Sequence, residues 1–145
     1  MGPIFLAADA DGLKGLWFEH QRFFPAALPP QKDDHPIILQ AKDWLRRYFA
    51  GEAPHPKEIP LAPEGTPFCR AVWEKLLEIP YGETVTYGTL AAALGTAPRA
   101  VGNAVGKNPI SIMIPCHRVV GTGGVLTGYA GGLERKTYLL ALEKE

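Results

Sequence analysis

Five prolines crowd residues 54–67 (Pro54, Pro56, Pro60, Pro63 and Pro67), and no regular element can run through them. Proline locks one backbone angle and removes a hydrogen-bond donor, which breaks helices and central strands alike. Such composition resists packing into an element and predicts a linker over residues 54–65. The chain then divides into an N-terminal scaffold domain, 1–53, and a second domain, 66–145. Its 145 residues suffice for one full domain or two small ones.

The two sides of the linker are patterned differently. Ile4 to Ala8 and Leu13 to Phe18 read as strands, joined by turn chemistry at Asp9-Ala10-Asp11-Gly12 into a hairpin. Pro25, Pro29 and Pro30 break regular structure after it. His35-Pro36 opens a helical pattern with Ile38, Leu39, Ala41, Leu45, Tyr48 and Phe49 near helical spacing, ending at Gly51.

Beyond the linker, Thr66-Pro67 caps a helix whose apolar face is Phe68, Val72, Leu76 and Leu77. Ile79-Pro80-Tyr81-Gly82 stops it. Thr86 precedes a short Ala-rich helix from Tyr87 that Gly95 ends. Pro98 starts another, reaching Gly106. Two short helices around a tight turn form a helix-turn-helix pattern. Small residues at Ala100, Gly102, Ala104 and Gly106 let that second helix approach another surface closely, either a DNA groove or a packed helix.

Charge narrows the function only slightly. The net charge is zero, with the first 65 residues at −2 and the remainder at +2. That contrast fits a polyanion-binding second half without establishing one. The two cysteines, Cys69 and Cys116, are too few for a disulfide framework or a Cys-rich zinc site, and point to a reducing compartment. The four histidines show no metal-ligand spacing. No apolar run reaches the length of a membrane span, and the N-terminus lacks a signal peptide's basic start, so a cytoplasmic protein is expected.

The segment that carries chemistry is Pro115-Cys116-His117-Arg118-Val119, preceded by the apolar run Ile110 to Ile114. A thiol with a pKa of about 8.5 is only a few per cent ionised at neutral pH. A neighbouring imidazole can raise that fraction and accept the proton as sulfur attacks. The dipeptide alone also fits a packed core cysteine beside a surface histidine.

These residues together resemble the O6-alkylguanine-DNA alkyltransferase family, the methylated-DNA–protein-cysteine methyltransferases. The resemblance runs through Tyr81-Gly82-Glu83-Thr84-Val85-Thr86-Tyr87, Pro98 to Gly102, Asn108-Pro109, Ile114 to Val120, Gly128-Tyr129-Ala130-Gly131-Gly132-Leu133 and the helix Lys136 to Glu143. Residues 1–50 match loosely, through Gly12-Leu13 and Gly15 to Phe18. It implies an α+β fold: a small N-terminal β-hairpin plus helix domain, and a C-terminal winged-helix-like helix-turn-helix domain carrying the active site.

It further implies a suicide reaction on double-stranded DNA. Cys116 takes the alkyl group from O6 of guanine, with O4 of thymine as a second candidate, and no cofactor takes part. His117 accepts the thiol proton through a water, and Glu143 orients His117. Tyr87 donates to the leaving purine, and Tyr129 lines the pocket and holds O6. The base must be extruded, and Arg99 fills the vacated place. Asn108 ties the recognition helix to the active-site turn. Backbone near Cys116 and Val119 reads the base edge, and Gly102 on the recognition helix and Ala130 beside Tyr129 belong to the same base-binding surface.

Ala130 and Gly128 flank Tyr129 where some members carry Ser and Asn, leaving pocket width open. The first half lacks the Cys/His set of members with a structural zinc, so no metal is expected. The protein is expected to act as a monomer without a membrane. Three alternatives stand beside this reading: a non-catalytic sensor of alkylated DNA, a helix-turn-helix regulator without chemistry, and a cysteine hydrolase.

Overall fold

The computed structural model describes residues 1–26 and 35–144. Pro29 and Pro30, read above as breakers, lie outside them. Strands β1 (Ile4–Asp9) and β2 (Gly12–Phe18) form the expected antiparallel hairpin, with a register shift between Ala7 and Ala8. Asp9 closes the turn by accepting the Asp11 amide at 2.8 Å. Helix α1 (Pro36–Phe49) starts on His35, whose ring accepts the Ile37 amide at 3.2 Å.

In the second half, α2 (Pro67–Leu76) starts on Thr66, which accepts the Cys69 amide at 3.1 Å. A two-residue strand, β3 (Val85–Thr86), leads into α3 (Tyr87–Leu94), which Gly95 ends in the left-handed conformation. Helix α4 (Pro98–Gly106) packs against α3 and α2. β4 (Val119–Val120) pairs in parallel with β3, and α5 (Leu133–Glu143) closes the chain. The fold is α+β, with helix-turn-helix geometry in α3 and α4.

The proline-rich stretch departs from expectation. It holds a 3-10 turn at Pro56–Glu58, which His55 caps by accepting the Lys57 amide at 3.0 Å. Pro54, Pro56 and Ile59 are buried. Proline's fixed φ suits the start of such a turn, and its ring is apolar. Backbone bonds from Leu13 to Pro60, 2.7 Å, and from Ala62 to Leu13, 2.9 Å, lace the stretch to β2. The free edge of β2 also holds the segment before the Cys-His pair. The Leu16 amide donates to Pro109 at 2.8 Å, and the Ser111 amide to Leu16 at 3.2 Å.

One core therefore draws on both halves, with Leu16, Phe18, Trp44, Val72, Leu76, Ile110 and Met113 all buried in it. Each large apolar side chain so buried contributes about 1.5–3 kcal/mol. Two helix faces differ in detail from the pattern reading. Leu39 and Phe68 are exposed, while Trp44 and Trp73 are buried. Each indole bonds a carbonyl at 2.9 Å, Trp44 to His55 and Trp73 to Ala104. Those distant acceptors let the larger rings go inside.

Candidate active site

The site is built on the apolar run. Ile110 to Ile114 are all buried, and Ile112 takes a left-handed φ of +70. That conformation is rare for a β-branched residue and gathers near functional positions. Asn108 holds the bend together. Its side-chain amide donates to the Ile114 carbonyl at 2.8 Å, and its carbonyl oxygen accepts the Ile110 amide at 3.0 Å. A 3-10 turn, Cys116–Arg118, follows directly.

Cys116 lines a pocket of about 270 Å³. Tyr87 comes to it from α3, Gly102, Val105 and Gly106 from α4, and Gly128, Tyr129 and Ala130 from the loop before α5. Burial pushes the Cys116 thiol up to about 11, against smaller opposing pulls from Asn108 and the charge of Lys136. The resting sulfur therefore keeps its proton at neutral pH. This corrects the expectation of a partly ionised thiol: desolvation outweighs the neighbours.

His117 is fully buried and turns toward α5. Its Nε2 lies 2.6 Å from Glu143 Oε2. Arg118 donates to the same carboxylate from Nε at 2.8 Å and Nη2 at 3.1 Å, and the Tyr48 hydroxyl donates at 2.5 Å. Burial alone raises the Glu143 pKa, but bonds from His117 and Arg118 outweigh it and hold the carboxyl at about 2. An ionised carboxylate only accepts, so Nε2 carries the hydrogen and Nδ1 keeps a lone pair. Nδ1 is buried with no partner among the described residues. Burial also pulls His117 below its usual pKa, against the upward pull of Glu143. The imidazole is thus neutral at neutral pH, with an accepting nitrogen on the residue next to Cys116.

Two more buried groups brace the site. Lys136 is buried, and its Nζ donates to the Val119 carbonyl at 2.7 Å and the Thr127 carbonyl at 3.0 Å. It joins β4 to the loop bearing Tyr129. The Tyr129 hydroxyl is buried beside Ser111 and Cys116, with a well-formed hydrogen bond to neither. Burial holds its pKa well above the usual value, so it remains a neutral donor. Gly131 permits this placement, because a Cβ there would stand 2.7 Å from the rings of both Phe18 and Tyr129.

Two family models cover almost the whole chain. The one described as "6-O-methylguanine DNA methyltransferase, DNA binding domain" matches residues 67–145. The one described as "6-O-methylguanine DNA methyltransferase, ribonuclease-like domain" matches residues 1–63. This chain belongs to the methylated-DNA–protein-cysteine methyltransferase family.

It is 44% identical to that methyltransferase of Haemophilus influenzae, across 99% of this chain and 82% of the relative. It is 47% identical to that of Methanosarcina acetivorans, across 99% and 92%. Among solved structures, Mycobacterium tuberculosis OGT in complex with DNA superposes with a TM-score of 0.89 at 45% identity, covering 99% of this chain and 87% of that one.

In this methyltransferase the residues singled out from sequence fall into three places. Cys116, Tyr87, Gly102, Tyr129 and Ala130 line the pocket. His117, Glu143 and Asn108 are buried around the turn that carries the thiol. Arg99 and Val119 are not in the lining. Arg99 is exposed at the start of α4, and Val119 is buried with its carbonyl engaged by Lys136.

Sequence reasoning missed Tyr48, Arg118 and Lys136, and missed Arg22 and Phe23 in the pocket wall. One signal was present: Lys136, Leu139 and Glu143 recur at helical spacing on the buried face of α5. Among the described residues no cluster of His, Cys, Asp or Glu could hold a metal, and no helix is long and apolar enough to cross a membrane.

Proposed function

We propose that this chain repairs alkylated double-stranded DNA by moving the alkyl group from O6 of guanine onto Cys116, once per molecule. The observation that carries this reading is a cysteine at a base-sized pocket, followed in sequence by a neutral histidine that a buried carboxylate orients.

The extruded nucleotide enters between Tyr87 and Tyr129. Sγ of Cys116 attacks the alkyl carbon in line with the C–O6 bond. Its proton passes to Nδ1 of His117, directly or through one water, and Glu143 stabilises the imidazolium. The C–O6 bond breaks as the C–S bond forms. Tyr87 gives its phenolic hydrogen to the departing purine, and Tyr129 donates toward O6. The product is a thioether, which has no leaving group, so the protein is consumed. A buried neutral thiol suits this order of events, since sulfur loses its proton only when a substrate is in place.

Extrusion costs a few kcal/mol. Arg99, exposed at the start of α4, enters the duplex as the base leaves in this reading. Residues 66–145 then form the DNA-binding and transfer unit, with 1–53 supporting it. O4-alkylthymine is a second candidate substrate, and a cytoplasmic location fits the two free thiols.

Intact-mass analysis after mixing with a duplex containing O6-methylguanine tests the reading. One methyl group per protein is expected for the wild type and none for Cys116→Ala. An unmodified wild type that still binds the lesion would favour the sensor, and repeated turnover the hydrolase.

A further inference from the structure

Arg22 and Phe23 belong to the N-terminal half, yet both line the Cys116 pocket. The turn that carries them is pinned on each side. The Phe18 amide donates to the buried Gln21 side chain at 2.8 Å, and the Arg22 amide donates to the Ala130 carbonyl at 2.9 Å. Phe24 packs away from the pocket, with ring centroids 5.3 Å from Phe5 and 6.4 Å from Trp17.

Phe23 does the opposite. Its side is 53% exposed, and its φ of +63 lies in the left-handed region. A bulky aromatic residue rarely adopts that conformation, which persists only where the surroundings enforce it. The Arg22 guanidinium lies 4.9 Å over the ring and holds it at the pocket mouth.

We infer that Phe23, backed by Arg22, is a specificity-determining wall of the lesion pocket that receives large apolar O6 substituents, aromatic ones above all. This rests on the alkyl-transfer reading. A methyl group ends one carbon from O6 and meets only the sulfur at the floor. A benzyl group carries a ring across the pocket to the wall, where it covers exposed apolar surface and meets Phe23 in offset or edge-to-face contact. The N-terminal half thereby takes part in substrate selection.

The test is single-turnover transfer from duplexes carrying O6-methylguanine or O6-benzylguanine. Wild type is compared with Phe23→Gly, Phe23→Ala and Phe23→Trp. Glycine accepts the left-handed backbone, so that variant folds without the ring, and melting curves check it. Loss of ring contact should lower the ratio of the benzyl to the methyl transfer rate about tenfold, and tryptophan should restore that ratio. Equal slowing of both substrates, no slowing of either, or a wild type that takes methyl but refuses benzyl would overturn the inference. A wild type that takes neither group fails the repair reading itself, a separate outcome.

Discussion

Tyr48 on the first helix and Glu143 on the last share a 2.5 Å hydrogen bond across 95 residues of sequence. The N-terminal half thus reaches the carboxylate that orients His117. Burial and the nearby Glu143 charge push the Tyr48 pKa well above its usual value, so the phenol is a permanent donor. Its ring stacks on Trp44 at 5.4 Å, which fixes the hydroxyl.

Replacing Tyr48 by Phe keeps the stack and removes the donor. Stability should fall by about 1–3 kcal/mol in urea unfolding, the usual cost of losing a partner to a buried charged group. Arg118 and His117 still hold Glu143, so transfer should slow several-fold rather than stop. The low-pH limb of the transfer rate should also shift upward, because Glu143 has lost a bond that favours its ionised form. An unshifted limb would reduce Tyr48 to packing alone.

Acid should destabilise the fold through Glu143. Its folded pKa of about 2 lies below the ordinary 4.5, so its contribution is fully present above pH 4.5 and disappears as pH falls toward 2. That contribution is on the order of 3 kcal/mol. His117 acts in the same direction from about pH 6.5 downward, since its folded pKa is lowered and the unfolded chain takes up the proton first. Urea midpoints measured between pH 7 and 3 should fall steadily, and Glu143→Gln should flatten the part below 4.5. A flat wild-type profile would refute the buried charge.

Cys116 should react with iodoacetamide like a thiol of high pKa. With ionisation near 11, the rate should climb about tenfold per pH unit from 7 to 9.5 without levelling. An unperturbed thiol would level near 8.5. Peptide mass mapping separates Cys116 from Cys69. A plateau below pH 9 would show that the neighbours overcome desolvation.

Lys136→Met keeps much of the buried stem and deletes the ammonium. The Val119 and Thr127 carbonyls lose a shared donor, which should cost about 1–3 kcal/mol. The thiol should become harder still to ionise, since the lysine charge opposes its burial. Slower iodoacetamide labelling at fixed pH, with the fold intact by circular dichroism, is the expected result. Unchanged labelling would confine Lys136 to bracing the loop.

Local signals were legible wherever a few adjacent residues decide the outcome. His35, Thr66 and Thr86 start helices as read, and Gly95 ends one, because a cap is a bond to an amide two or three positions away. The hairpin followed from its turn. The Cys-His pair and its surrounding motifs were visible because they are contiguous. Side-chain burial was less legible. Leu39 and Phe68 lie outside while Trp44 and Trp73 lie inside, since the indoles find carbonyls far along the chain. Helix α5 inverts the ordinary rule, exposing Leu133 and Tyr138 while burying Lys136 and Glu143. No hydropathy pattern read along that helix predicts this.

By itself, then, the chain's order of residues determined the hairpin, the five longer helices with most of their caps, and the adjacency of a cysteine and a histidine after an apolar run. Only the tertiary structure decided that the thiol rests protonated, that Glu143 is ionised behind His117, and that Arg22 and Phe23 line the same pocket as Cys116. A cap or turn is set by neighbours in sequence. The solvation of a charge is set by every group that excludes water from it, and here those groups come from both ends of the chain.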